Sequence, residues 1–101
     1  MHRSGGAESI RVVDYHPKAE QEIRQLAPPI RERVRRAIEL LQKDPLTGKP
    51  LLGRLKGLRS RRVGEYRIVY LLEDQTQPKK LFILHVGPRG GVYPQAWRQR
   101  T

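Results

Sequence analysis

Apolar positions fall along this chain in short periodic runs separated by Gly- and Pro-rich breaks. Residues 10–15, Ile-Arg-Val-Val-Asp-Tyr, are rich in β-branched and aromatic side chains and predict a strand. His16 ends it as a turn or cap, and Pro17 suits a first helical position. Ala19, Ile23 and Leu26 follow at helical spacing, until Pro28-Pro29 interrupts. A longer helix is expected from about Pro29, with Ile30, Val34, Ala37, Ile38 and Leu41 as its apolar stripe. Arg31, Arg33, Arg35 and Arg36 mostly face away from that stripe and read as a solvated face. The short break predicts that the two helices pack as a hairpin.

Asp44 to Pro50 and Gly53 to Gly57 are loops by composition. Leu58 to Val63 and Tyr66 to Leu72 are strand-like runs joined by Gly64-Glu65, which reads as a β-hairpin. Leu81 to Val86 is a third run, ended by Gly87-Pro88-Arg89-Gly90-Gly91, with Val92 to Arg98 as a short last segment. The order β-α-α-β-β-β predicts an α+β fold, with the N-terminal strand and helical hairpin packed on a mainly antiparallel four-stranded sheet. One domain over residues 10–98 is expected, preceded by a flexible arm, residues 1–9. One sheet face is then left for another use.

Charge says which. The formal net charge is +11. Residues 1–48 hold nine Lys/Arg against seven Asp/Glu, whereas residues 49–101 hold twelve against three. Charge gathered in one half sets up a directed field and points to a polyanion such as nucleic acid. The chain has no cysteine, no apolar run of spanning length and no signal-like start, so a cytoplasmic protein without membrane contact is expected. His2, His16 and His85 are scattered, which supports neither a metal site nor a cofactor.

The run Leu52-Gly53-Arg54-Leu55-Lys56-Gly57-Leu58, then Arg62-Val63-Gly64-Glu65-Tyr66-Arg67-Ile68-Val69-Tyr70, then Val86-Gly87-Pro88-Arg89 and Val92-Tyr93, resembles the RelE/ParE toxin superfamily. The resemblance implies the toxin of a type II toxin–antitoxin system. Its RNA-cleaving members cut messenger RNA at the ribosome without a metal. It carries the catalytic roles to Arg67, Arg89 and Tyr93, and RNA contacts to Lys56, Arg61 and Arg62. It also implies a cognate antitoxin, through which the complex binds operator DNA. Cleavage by a ribose 2′-hydroxyl needs a base, an acid and fixed positive charge on the phosphorane, and arginine suits the last.

The chain departs from several RNA-cleaving relatives in two places. Arg59-Ser60-Arg61-Arg62 has no lysine, and Pro88-Arg89-Gly90-Gly91 lacks the histidine and second basic residue of the "H-R-R-x-x-Y" form. Arginine is a poor base, so the proton acceptor is left open, with His85 the histidine nearest the expected site. Two other readings stay beside the nuclease: a ParE-like inhibitor of DNA gyrase, and a family member that binds RNA without cutting it. Arg67 also has a structural reading, as a cross-strand partner of Glu65 or Glu73.

Overall fold

A computed structural model describes residues 9–91. The elements run β1 (Val12–Tyr15), α1 (Pro17–Arg24), α2 (Pro28–Lys43), β2 (Lys49–Pro50), β3 (Arg59–Val63), β4 (Tyr66–Glu73) and β5 (Lys80–Pro88). Single 3-10 turns lie at Pro45–Thr47 and Gly53–Leu55. The expected arm, apart from Ser9, and the expected Val92 to Arg98 segment fall outside the described residues.

The helices form where the apolar spacing places them. His16 caps α1, its Nδ1 accepting from the Lys18 N–H at 3.1 Å, and Pro17 opens the first turn. Helix α2 buries Val34, Ala37, Ile38 and Leu41. Its arginines stay in solvent, where Arg35 and Arg36 reach Glu32 at 2.9 and 3.4 Å. The helical stripes meet Ile68, Tyr70, Leu81, Ile83 and Val86 of the sheet, and Ile10 closes the same core.

The sheet has five strands in the order β1-β5-β4-β3-β2, one more than expected. The addition is β2, which pairs antiparallel through Lys49↔Ser60 and Pro50↔Arg59. Two residues carry no alternation to read, and a proline is tolerated at a sheet edge because no ladder bond is asked of it. Strand β1 runs parallel to β5, with Val13 level with Leu81, and the other pairs are antiparallel. At the hairpin, Gly64 has φ +59, as a first turn residue in a type II′ turn requires.

Strands β4 and β5 are one residue out of step in the middle. Val69 pairs with His85, but the next residue, Tyr70, pairs with Ile83, which leaves Leu84 as an extra residue. A bulge of this kind reverses the alternation of the strand that carries it. Leu81 and Ile83 face the helices before it and Val86 faces them after it. His85 and Gly87 are thereby turned to the opposite face, beside Val69 and Arg67.

Two polar clips hold the layers. Beyond Tyr15 and its partner Ile83, β1 no longer covers the edge of β5. Glu22 of α1 takes over: one carboxylate oxygen accepts from the Val86 N–H at 3.0 Å, and the other lies 3.0 Å from His85 Nδ1. The second clip is Tyr70, fully buried in β4. Its hydroxyl donates to the Pro45 carbonyl at 2.6 Å and accepts from the Gly48 N–H at 3.1 Å. Arg59 ties the same loop by donating to the Gly48 carbonyl at 2.6 Å. Gly48 has no room for a side chain, since a Cβ there would collide with the Tyr70 ring and hydroxyl.

Two outcomes follow for stability. Tyr70→Phe keeps the ring but strands the Pro45 carbonyl and Gly48 N–H, at a cost of about 1–3 kcal/mol. In a domain of this size, thermal unfolding should show the midpoint lower by roughly 4–8 °C per kcal/mol. Burial pushes the His85 imidazole below its ordinary 6.5; Glu22 pulls the other way, while Arg67 and Lys18 add to the lowering. The unfolded chain then binds this proton more readily than the native one. The site's contribution is complete above about pH 6.5 and is lost as pH falls toward the lowered native value. The midpoint of the wild-type chain should drop between about pH 7.5 and 5.5 more steeply than that of His85→Gln.

Candidate nucleic-acid interface

The sheet face opposite the helices gathers the cations. Lys49 on β2 is level with Ser60 on β3, Arg62 on β3 with Arg67 on β4, and Arg67 with Gly87 on β5. Residues directly opposite each other point to the same side of a sheet. Lys49, Ser60, Arg62, Arg67 and Arg89 accordingly line one hollow of about 660 Å³, walled on its other side by Pro50, Leu51 and Leu52. Leu52 is 84% exposed, an apolar shelf beside a charged floor.

The arginines are held differently. Arg67 is only 8% exposed. Its Nη1 donates to the Arg89 carbonyl at 3.3 Å and its Nη2 to the Gly91 carbonyl at 2.8 Å. The Arg67 guanidinium therefore braces the segment after β5 that carries Arg89. Glu65, one of the expected partners of Arg67, lies instead 3.8 Å from Arg89 Nη2, and its carbonyl accepts from the Arg89 N–H at 2.8 Å. The Arg89 side chain is 44% exposed and reaches solvent at the rim. Arg62 is exposed, with Nε 3.4 Å from the Gly64 carbonyl. One deep arginine thus shapes the loop while two outer ones keep donors toward the hollow, an arrangement suited to phosphate oxygens.

The other expected contacts are not brought together with these. Arg61 is level with Ile68, so it lies on the helix side of the sheet, where its Nη1 donates to Thr47 Oγ1 at 2.9 Å. Lys56 is exposed in the turn after Gly53–Leu55 and does not line the hollow. Tyr93 lies outside the described residues. Conversely, Lys49, Ser60 and the Leu51-Leu52 wall enter the site unannounced. Only the pairing of the two-residue β2 brings Lys49 beside Ser60, and so short a strand has no sequence period. Among the described residues no cluster of three His, Asp or Glu could hold a metal, and no helix is long and apolar enough to cross a membrane.

Comparison with known proteins places the fold. The family model for the ParE toxin of type II toxin–antitoxin systems, parDE, matches residues 13–93. A curated relative, Toxin RelE of Mycobacterium tuberculosis (strain ATCC 25618 / H37Rv), is 39% identical over 54 residues. That match spans 54% of this chain and 54% of the relative, about half the length of each. Among solved structures, a chain of the toxin–antitoxin complex RelBE2 from Mycobacterium tuberculosis superposes with a TM-score of 0.69 at 34% identity, covering 77% of this chain and 96% of that one. A chain of the archaeal RelE–RelB complex from Pyrococcus horikoshii gives 0.64 at 22% identity, covering 82% and 99%, a likeness of fold. With element order, sheet topology and the family match in accord, the chain belongs to the RelE/ParE family and is the toxin of a type II toxin–antitoxin system.

Proposed function

We propose that this toxin is a metal-independent endoribonuclease that cuts messenger RNA in the course of translation, with the ribosome positioning the message. The convergence of Arg62, Arg67, Arg89 and Lys49 on one hollow supports this reading. All four come from the strongly basic second half of the chain, residues 49–101. The outer arginines would hold the scissile phosphate and stabilise the charge that grows on it, and the Leu51-Leu52 wall offers an apolar surface to a base. Tyr93 would stack on a base or move a proton. Positioning of the message by the ribosome would supply much of the remaining barrier reduction.

The toxin would be held inactive by a cognate antitoxin, a reading supported by the similar RelBE2 chain, which belongs to a toxin–antitoxin complex. An acidic segment of that partner would meet the charge of the open face. Operator DNA would be reached through the antitoxin, and the site of action would be the cytoplasm. The match to a family model named for ParE favours one second reading, inhibition of DNA gyrase without cleavage.

The two separate by experiment. Expression of the chain should produce new 5′ ends within translated messages, and Arg89→Ala should lower their yield about 100-fold or more. Arrest of growth with intact messages and induced DNA damage would decide for gyrase. Because Arg67 braces two carbonyls with a planar fork, Arg67→Lys should lose nearly as much activity as Arg67→Ala, whereas Arg89→Lys should retain a larger share. Cleavage yields of the three variants beside their thermal midpoints measure this.

A further inference from the structure

Lys49 differs from the three arginines that share its hollow. Each arginine is tied to the protein: Arg67 to the Arg89 and Gly91 carbonyls, Arg62 to the Gly64 carbonyl at 3.4 Å, and Arg89 to Glu65 at 3.8 Å. Lys49 is exposed, and among the described residues no hydrogen bond or ion pair engages its ammonium. Its backbone, by contrast, is pinned on both sides. The Gly48 N–H donates to the Tyr70 hydroxyl at 3.1 Å, and the Gly48 carbonyl accepts from Arg59 at 2.6 Å. On the far side, the Leu51 N–H donates to the Leu58 carbonyl at 2.9 Å. A two-residue edge strand is thus fixed in place with an unengaged amine at its head. Register sets where that amine reaches. Lys49 is directly opposite Ser60, so Arg62 is its diagonal neighbour on the same face, a separation of about 7–8 Å that long side chains span. Arg62 is in turn level with Arg67. A phosphate held at the arginine row therefore lies within the span of the Lys49 side chain.

We infer that Lys49 is the proton donor to the leaving 5′-oxygen of the scissile linkage. The inference rests on the nuclease reading and assigns one of its proton transfers to a residue. Of the cations lining the hollow, only a lysine ammonium can hand its proton over, since a guanidinium keeps its own at any working pH. The leaving oxygen departs as an alkoxide unless it is protonated as its bond breaks, and a positioned donor there speeds cleavage by about 100- to 10,000-fold. The 2′-hydroxyl loses its proton to water as the 2′-oxygen bonds to phosphorus. The bond from phosphorus to the 5′-oxygen breaks, its electron pair goes to that oxygen, and the oxygen takes a proton from Lys49 Nζ. The amine is then reprotonated from solvent. The products are a 2′,3′-cyclic phosphate and a 5′-hydroxyl. A lysine on an edge strand also keeps foreign strands off a sheet. That role asks only for charge, which arginine supplies equally, so substitution separates the two.

The test uses the full chain with a reporter message on translating ribosomes, after the wild-type cleavage site has been mapped. Two messages are compared, the native one and one in which sulfur replaces the bridging 5′-oxygen at the mapped linkage. A thiolate leaves without a proton, so a variant that lacks only the donor is restored on the sulfur message. RNA binding is read separately by anisotropy of a labelled single-stranded oligonucleotide. Lys49→Arg keeps the charge and should bind the oligonucleotide within about 2-fold of wild type. It should cut the native message about 100-fold or more slowly than wild type, and the sulfur message within about 3-fold of wild type. Cleavage of the native message by Lys49→Arg within about 3-fold of wild type overturns the inference and leaves the nuclease standing, as does a loss of equal size on both messages. Should Lys49→Arg not fold, the same pair of messages cut by Lys49→Met decides: restoration by sulfur supports the donor, and an equal loss on both overturns it. A wild-type chain that cuts no message overturns the nuclease reading and the inference together.

Discussion

The pairing of β4 with β5, stepped by one residue at Leu84, is the constraint from which the site follows. Side chains alternate along a strand, so without the step Leu81, Ile83, His85 and Gly87 would share one face. With it, Val86 takes the place in the core that the alternation would have given to His85. The helices then cover an unbroken apolar surface, and the open face receives His85 and Gly87 in place of Val86 and Pro88. Strand β5 also lies between β1 and β4, with partners on both sides. A change in its register would move the core and the site together.

Each face of β4 carries one large polar side chain that organises a loop. On the helix side, Tyr70 gathers the Pro45–Gly48 loop through two hydrogen bonds. On the open side, Arg67 gathers the segment after β5 through the carbonyls of Arg89 and Gly91. Burial of a guanidinium is tolerated only where acceptors replace the lost water, and the two carbonyls supply that replacement. The result is division of labour among like residues. The deep arginine sets the shape of the site, while Arg62 and Arg89 remain at its surface with donors to offer a ligand.

The electrostatics of the domain favour an encounter before any specific contact forms. The second half of the chain supplies nearly all of the net charge, and it also builds β3, β4 and β5. The arginines of α2 contribute less, because Glu32 and Glu39 lie among them and Arg35 and Arg36 are paired with Glu32. A field directed through one face orients a polyanion toward that face, and the same field would draw in an acidic antitoxin segment.

Much of this was legible in the residues themselves. The stripe Ile30, Val34, Ala37, Ile38 and Leu41 determined a helix and its buried side, because one element's period is local information. The run from Arg62 to Tyr70 determined a hairpin and the family. Even the separation of Arg61 from Arg62 is a matter of alternation, so one of the two could have been set aside from the sequence. What the sequence left open was every relation between elements distant along the chain. The parallel partner of β1, the edge strand at Lys49–Pro50, the meeting of Glu22 with His85 sixty-three residues later and the fold-back of Arg67 onto Gly91 are of this kind. They depend on register and on which edge is left uncovered, and these are set by the packing of the whole core rather than by any segment's own pattern.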